Sequence, residues 1–127
     1  VMNESCDVLM SLFAPYCGEE FSRVLKSHGK MILVIPDENH LMGLKKAVYD
    51  KPYANQVQNY KLDGFRFLGA EKIEGEIFMD NSDDIQNLFS MTPYYYKTGR
   101  EEHLRLEALK ELRTETAFQI LQYEKEV

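Results

Sequence analysis

The sequence predicts an α/β protein: a βαβ unit opening a sheet, then helices and a terminal hairpin-type pair of strands. Three observations predict it. Residues 7–14 and 31–35 are short, nearly continuous apolar runs, the pattern of strands buried on both faces of a parallel sheet. Between them, residues 18–26 place Phe21, Val24 and Leu25 at helical spacing. Residues 116–123 return to strand-like alternation.

Each element has its own punctuation. Pro15 stops the first strand, and Glu19 and Glu20 suit the N-terminal end of the helix that follows. Lys26 and His28 suit its C-terminal end, and Gly29 is the expected left-handed residue beyond it. Pro36 closes the second strand. Asp37, Glu38 and Asn39 are candidate caps for a helix starting near His40, with Leu41, Leu44 and Val48 as its apolar stripe. Residues 51–59 read as a loop with a short helix. Residues 65–73 and 76–79 read as strands. Asn81, Ser82, Asp83 and Asp84 open another helix that turns Ile85, Leu88 and Phe89 inward. Residues 92–99 form an aromatic loop. Residues 100–113 form a charged helix with Leu104, Ala108, Leu109 and Leu112 buried. The order matches the second half of a doubly wound sheet. Its first strand then needs a neighbour, so the edge at residues 7–14 is expected to be open, and a homodimer through that edge is one way to cover it.

Composition narrows the classes. At 127 residues the chain is one domain, large enough for a real core. The formal net charge of −6 argues against this chain alone clamping a phosphate backbone. No apolar run reaches the roughly 18 residues that span a bilayer, and no basic-then-apolar leader is visible, so no membrane partner is expected. Two cysteines, Cys6 and Cys17, make neither a disulfide framework nor a Cys-x-x-Cys pair, and a reduced, cytoplasmic setting is expected. With His28, His40 and His103 they make no metal-ligand spacing.

Cys6-Asp7-Val8 through Phe13-Ala14-Pro15, then Glu20-Phe21-Ser22-Arg23-Val24-Leu25-Lys26 and Gly29, resemble the post-cofactor half of class I S-adenosylmethionine methyltransferases. Three further islands narrow the resemblance: Ala14-Pro15 after the first strand, His40-Leu41-Met42-x-Leu44-Lys45 after the second, and Met91-Thr92-Pro93-Tyr94. Together they are similar to the large-subunit rRNA guanine-N1 methyltransferases, the RlmA family, over essentially the whole chain. Two positions depart from that pattern: Gly43 replaces a commonly acidic residue, and Tyr96 replaces a frequent Trp.

The resemblance implies a Rossmann-like class I methyltransferase sheet, of which residues 1–127 are the C-terminal part. It implies S-adenosylmethionine as cofactor and rRNA as the partner of the full-length protein. Zinc is expected only in an N-terminal module, which together with the glycine-rich cofactor loop is expected upstream of these residues. This part by itself is then expected to be inactive. Guanine N1 methylation needs an in-line donor, loss of the N1 proton and an unstacked, gripped base. Ala14, Pro15 and His40 are the implied cofactor-side residues. Met91, Thr92, Pro93, Tyr94 and Tyr96 are the implied substrate side, an aromatic lip for the base. The catalytic base is not named by the pattern, although a near-neutral imidazole makes His40 a candidate. Lys45, Lys46, Lys97 and Arg100 could meet phosphate.

Each has a plainer reading. Ala14-Pro15 can simply end a strand, a histidine at a helix start is commonly a cap or surface residue, aromatics pack under loops, and lysines line solvated helix faces. Two alternatives stay open: a class I methyltransferase with a small-molecule acceptor, and a non-catalytic α/β interaction module.

Overall fold

A computed structural model describes residues 1–52, 54, 60–94 and 98–127. In chain order the elements are β1 (Cys6–Leu12), α1 (Gly18–Val24), β2 (Leu25–Pro36), α2 (Met42–Val48), β3 (Phe65–Met79), α3 (Ser82–Ser90), α4 (Arg100–Ala108) and β4 (Leu112–Lys125). The four strands form one sheet in the order β1-β2-β4-β3. β1 and β2 are parallel around α1, as the βαβ reading required, and β4 is antiparallel to β2. The α/β fold class read from the sequence is the one observed.

The chain divides into two compact units. The first holds Val1–Glu38, the described part of Gln56–Ile73, and Phe118–Val127. Its core follows the strand period of two. Met31 and Leu33 of β2 pair with Tyr123 and Leu121 of β4, and all four are buried with Leu25 and Phe65. Lys125 joins the end of β4 to α1, its Nζ donating to the carbonyls of Ser22 (2.7 Å) and Leu25 (2.8 Å).

The second unit holds Asn39–Asn55, as far as it is described, and Glu74–Ala117. Leu41, Leu44 and Val48 are buried with Ile85, Phe89, Leu106 and Leu112. The predicted stripe of α2 is therefore correct. So is the cap of α3, where Asn81 accepts a hydrogen bond from the Asp84 amide at 2.8 Å.

Several readings need correction. β1 is not buried on both faces: Val8, Met10 and Leu12 are each more than half exposed, because β1 is an edge strand with β2 beside it. α1 ends at Val24, and β2 begins at once. Gly29 is not the left-handed residue; His28 is, at φ 63°. Cys6 pairs with Leu25 but Val8 with Lys30, so β2 carries extra residues there. Gly29 is needed for closeness instead, since a Cβ would come within 2.9 Å of the Lys26 carbonyl and 3.2 Å of the Asp7 carbonyl. Finally, α4 stops at Ala108, and Leu112 already belongs to β4. Leu106 is its buried residue, while Leu104 and Ala108 are exposed. The two predicted strands at 65–73 and 76–79 are one continuous strand, β3.

Candidate functional site

In the first unit, the residues of interest gather where β1 and β2 end. Open α/β sheets place ligands outside the carboxyl ends of their strands. The Phe13 amide still bonds the Val34 carbonyl at 3.0 Å, but Phe13 itself adopts φ 52°. A bulky residue in that region is strained, and the chain turns sharply out of the sheet. Ala14 and Pro15 follow, both exposed. The Phe13 ring meets Phe118 edge-on, with centroids 5.2 Å apart.

Asp37 was read as a helix cap, and it does something else. It is buried, and its Oδ1 accepts from the Gln119 amide (2.9 Å) and from the Glu38 backbone N–H (2.9 Å). Gln119 is fixed in turn by a hydrogen bond from the Tyr60 hydroxyl. The Lys72 ammonium stands 3.7 Å from Oδ2. The Gln119 hydrogen bond, followed by the Glu38 amide and the Lys72 charge, holds the Asp37 carboxyl below its usual range against the opposing effect of burial.

In the second unit, His40 is half-buried just before α2. Its Nδ1 accepts the Ala117 backbone N–H at 3.1 Å. In the neutral ring the proton therefore resides on Nε2. Burial lowers the His40 pKa, and the Lys45 charge lowers it further, so the neutral form dominates at pH 7. A neutral imidazole with Nδ1 engaged and Nε2 protonated is a hydrogen-bond donor rather than a ready base. Leu41 follows in the left-handed conformation at φ 55°, its amide tied to the Glu115 carbonyl at 2.9 Å.

Gly43 packs α2 directly on β4. A Cβ there would lie 2.7 Å from the Arg113 carbonyl and 3.0 Å from the Thr114 Cα. No acidic side chain fits in this packing, which gives a physical reason for glycine at that position.

The segment after α3 divides by residue. Met91 is 82% exposed. Thr92 is buried, and its hydroxyl donates to the Phe89 carbonyl at 2.7 Å, closing α3. Pro93 is exposed, and Tyr94 packs partly buried against the second core. The Tyr94 carbonyl accepts from the Thr98 hydroxyl at 2.5 Å, which also meets the Tyr49 hydroxyl at 2.9 Å. Tyr96 and Lys97 lie outside the described residues.

Lys45 is where the sequence reading missed most. It was offered as a phosphate contact, with a solvated helix face as the plainer alternative; it is 1% exposed. Its Nζ lies 4.7 Å from the centroid of the Tyr94 ring, and burial lowers its pKa. The available signal was its position, since Lys45 follows Leu44 inside the stripe that Leu41 and Val48 define. Within the second unit, Lys45 thus links to Tyr94 by contact and to His40 by charge. Among the described residues, no group of three or more His, Cys, Asp or Glu side chains could hold a metal.

Comparison with known proteins bears on this arrangement. No protein-family model matches the chain. It is 28% identical over 112 residues to a Bacillus subtilis protein named "Putative 23S rRNA (guanine-N(1)-)-methyltransferase YxjB". That similarity covers 85% of this chain and 39% of the relative, so the chain spans about two fifths of the relative's length. A solved structure from Bacillus halodurans, described as a putative methyltransferase, superposes with a TM-score of 0.54 at 12% identity. It covers all of this chain, which is matched to 67% of that one. The resemblance read from the sequence stands: this chain is similar in sequence to a protein named as an rRNA methyltransferase. It also shares a fold with a methyltransferase-like structure.

Proposed function

We propose that this chain is the downstream part of a methyltransferase that moves a methyl group from S-adenosylmethionine to N1 of a guanine in large-subunit rRNA. The observation that carries the reading is the similarity to YxjB along 85% of the chain, in a molecule whose strand order suits the second half of a class I methyltransferase sheet. The relative is much longer, and no Gly-x-Gly occurs in these residues, so the glycine-rich cofactor loop is assigned to sequence upstream.

When bound, S-adenosylmethionine supplies an electrophilic methyl on sulfonium. The residues present in each unit, taken separately, suit such a group. His40, neutral and protonated on Nε2, suits a hydroxyl or carboxylate acceptor on the cofactor. Ala14 and Pro15 are exposed and small enough to admit a planar ring at the end of β1. Exposed Met91 and Pro93, with Tyr94, belong to the substrate-side lip in this reading, and Tyr96 is placed there by the sequence pattern alone. The N1 proton is assigned to a group other than His40, whose Nδ1 is already an acceptor for the Ala117 amide.

The test is a methylation assay of the complete protein on protein-free ribosomal RNA, with digestion to nucleosides and mass analysis. The expected product is a guanosine bearing a methyl on its pairing edge, which also halts reverse transcription. Transfer to small acceptors with none to RNA overturns the proposal. His40→Ala is expected to raise KM for the methyl donor about tenfold, the cost of roughly one hydrogen bond.

A further inference from the structure

We propose that β1 is a docking edge for a second copy of this chain: two β1 strands pair antiparallel about a two-fold axis through Leu9. The inference stands apart from the functional reading above.

The first observation is what this edge of the first unit presents. Among the described residues, β1 has β2 on one side and no strand on the other. The Phe13 amide bonds the Val34 carbonyl, so strand alternation turns the backbone groups of Leu9 and Ser11 toward β2. Those of Val8, Met10 and Leu12 then face the open edge. Their side chains are each more than half exposed, on the sheet face where Met10 stands beside Ile32 and Leu12 beside Val34. Across β2, Val34 stands beside Ile120 of β4, so the apolar surface continues inward. An apolar, unpaired edge is a template for another strand, and proteins that keep an edge free blunt it with charge.

The second observation is the contrast with the opposite edge. β3 ends the sheet on that side. Its stretch within the first unit, residues 65–73, carries exposed Arg66, Glu71 and Lys72. β1 carries one charged residue, Asp7, and its carboxylate meets the Lys26 ammonium at 3.0 Å. β3 is thus guarded against strand addition and β1 is not. Growth from β1 of one copy onto β3 of the next is opposed, whereas a β1–β1 contact closes on itself.

The third observation is that the strand matches itself. All seven residues of Cys6–Leu12 overlap only when the axis passes through Leu9. Val8 then lies opposite the partner's Met10, Cys6 opposite the partner's Leu12, and Asp7 opposite the partner's Ser11. No like charges meet, and apolar side chains pair on the exposed face. The outward backbone groups of Val8 and Met10 exchange hydrogen bonds across the axis. Seven residues a side fall below the roughly 20–30 of a standard interface, so the dimer is reversible and concentration-dependent.

The experiment begins with sedimentation of the 127-residue chain over a wide concentration range, where monomer and dimer should exchange. Met10→Pro removes an N–H that faces the edge and spares the bonds to β2, so it should leave only monomer. If Met10→Pro does not fold, Met10→Lys decides, since it sets a charge on the exposed face and should give the same result. The register is read by cross-linking after Cys6→Ser and Cys17→Ser. Leu9→Cys should oxidise to a covalent dimer, because opposed Cα atoms on the axis lie about 4.5 Å apart. Val8→Cys, about 8 Å from its own counterpart, should not.

A monomer at every concentration overturns the proposal, as do assemblies larger than a dimer. So does a dimer that the folded Met10 variants leave intact, or a Val8→Cys link in place of the Leu9→Cys one. The complete protein should give the Leu9→Cys link as well. A monomer there whose Val8 and Met10 amides resist exchange puts another stretch of the same chain on this edge, and overturns the proposal.

Discussion

Among the described residues each unit buries one lysine, and the two stand against different neighbours. Lys125 in the first unit donates to two backbone carbonyls at 2.7 and 2.8 Å, and the Glu4 carboxylate lies 3.9 Å away. Those carbonyls sit at the C-terminal end of α1, where a helix dipole favours a cation. The Lys45 ammonium in the second unit lies 4.7 Å from the centroid of the Tyr94 ring, and burial lowers its pKa. Directed hydrogen bonds to the backbone hold a fold together. A cation on a ring face is softer and couples to whatever the ring touches. The difference is between a lysine tied to backbone carbonyls and one set beside a ring.

The largest expected effect tests whether the two environments are packed independently. Phe89 is 1% exposed in the second core. Phe89→Ala should destabilise by about 3–5 kcal/mol, through lost burial and the cavity left behind. Hydrogen exchange should then quicken in α2, α3 and α4 more than in β1 and β2. Uniform acceleration across both units would break the comparison and make the protein one cooperative block.

The next effect bears on Lys125 directly. Lys125→Met keeps the hydrocarbon but leaves the Ser22 and Leu25 carbonyls without their donor. The expected cost is about 1–3 kcal/mol in denaturant unfolding. Catalytic parameters of the complete protein should be unaffected at temperatures where it stays folded. A loss of kcat without loss of stability would mean that Lys125 does more than hold the fold.

These residues also show what the sequence could reveal. The strands β1 and β2 were legible because short apolar runs and flanking prolines act locally, although β1 lies at the sheet edge with Val8, Met10 and Leu12 exposed. The stripe of α2 and the Asn81 cap were legible for the same reason. Lys45 was not, because lysine is read as a surface residue, and the Tyr94 ring beside it is remote in sequence. Asp37 was mistaken for a cap because its true partner, Gln119, is remote in sequence. The exit of α4 was misread because residues 100–113 contain leucines compatible with either a longer helix or the start of β4. Ala14 and Pro15 fall in the first unit, and His40 and Met91–Tyr94 in the second. Their types suggested chemistry, but the tautomer of His40 follows from the Ala117 amide, which no spacing rule could supply.

A smaller effect sharpens the second unit alone. Asn81→Ala removes the acceptor for the Asp84 amide. About 1 kcal/mol of stability should be lost, seen as faster exchange in the first turn of α3. Asn81→Asp should retain most of it. If neither substitution matters, α3 owes its position to Ile85 and Phe89 alone.

The smallest effect is the acid response, and here the two units should separate by pH. His40 has a folded pKa below its ordinary 6.5. The unfolded chain therefore binds a proton there more readily than the folded one, and stability from this group is complete above pH 6.5 and declines as pH falls below it. In the first unit, Glu124 is bonded by Lys30 and Arg66, which hold its carboxyl at about 2 against the usual 4.5. Asp37 is also lowered, from 3.8. Their contribution is intact above about pH 4.5 and fades as pH falls toward about 2. Amide exchange around α2 should thus begin to quicken as pH falls below 6.5, while β2 and β4 hold until below about pH 4.5. Glu124→Gln should flatten the lower limb only, and Lys45→Met should flatten the upper limb, because removing the cation brings the folded pKa of His40 back toward its ordinary value. Simultaneous loss in both units would mean that one titration governs the whole chain, and that the cation beside His40 has no separate consequence.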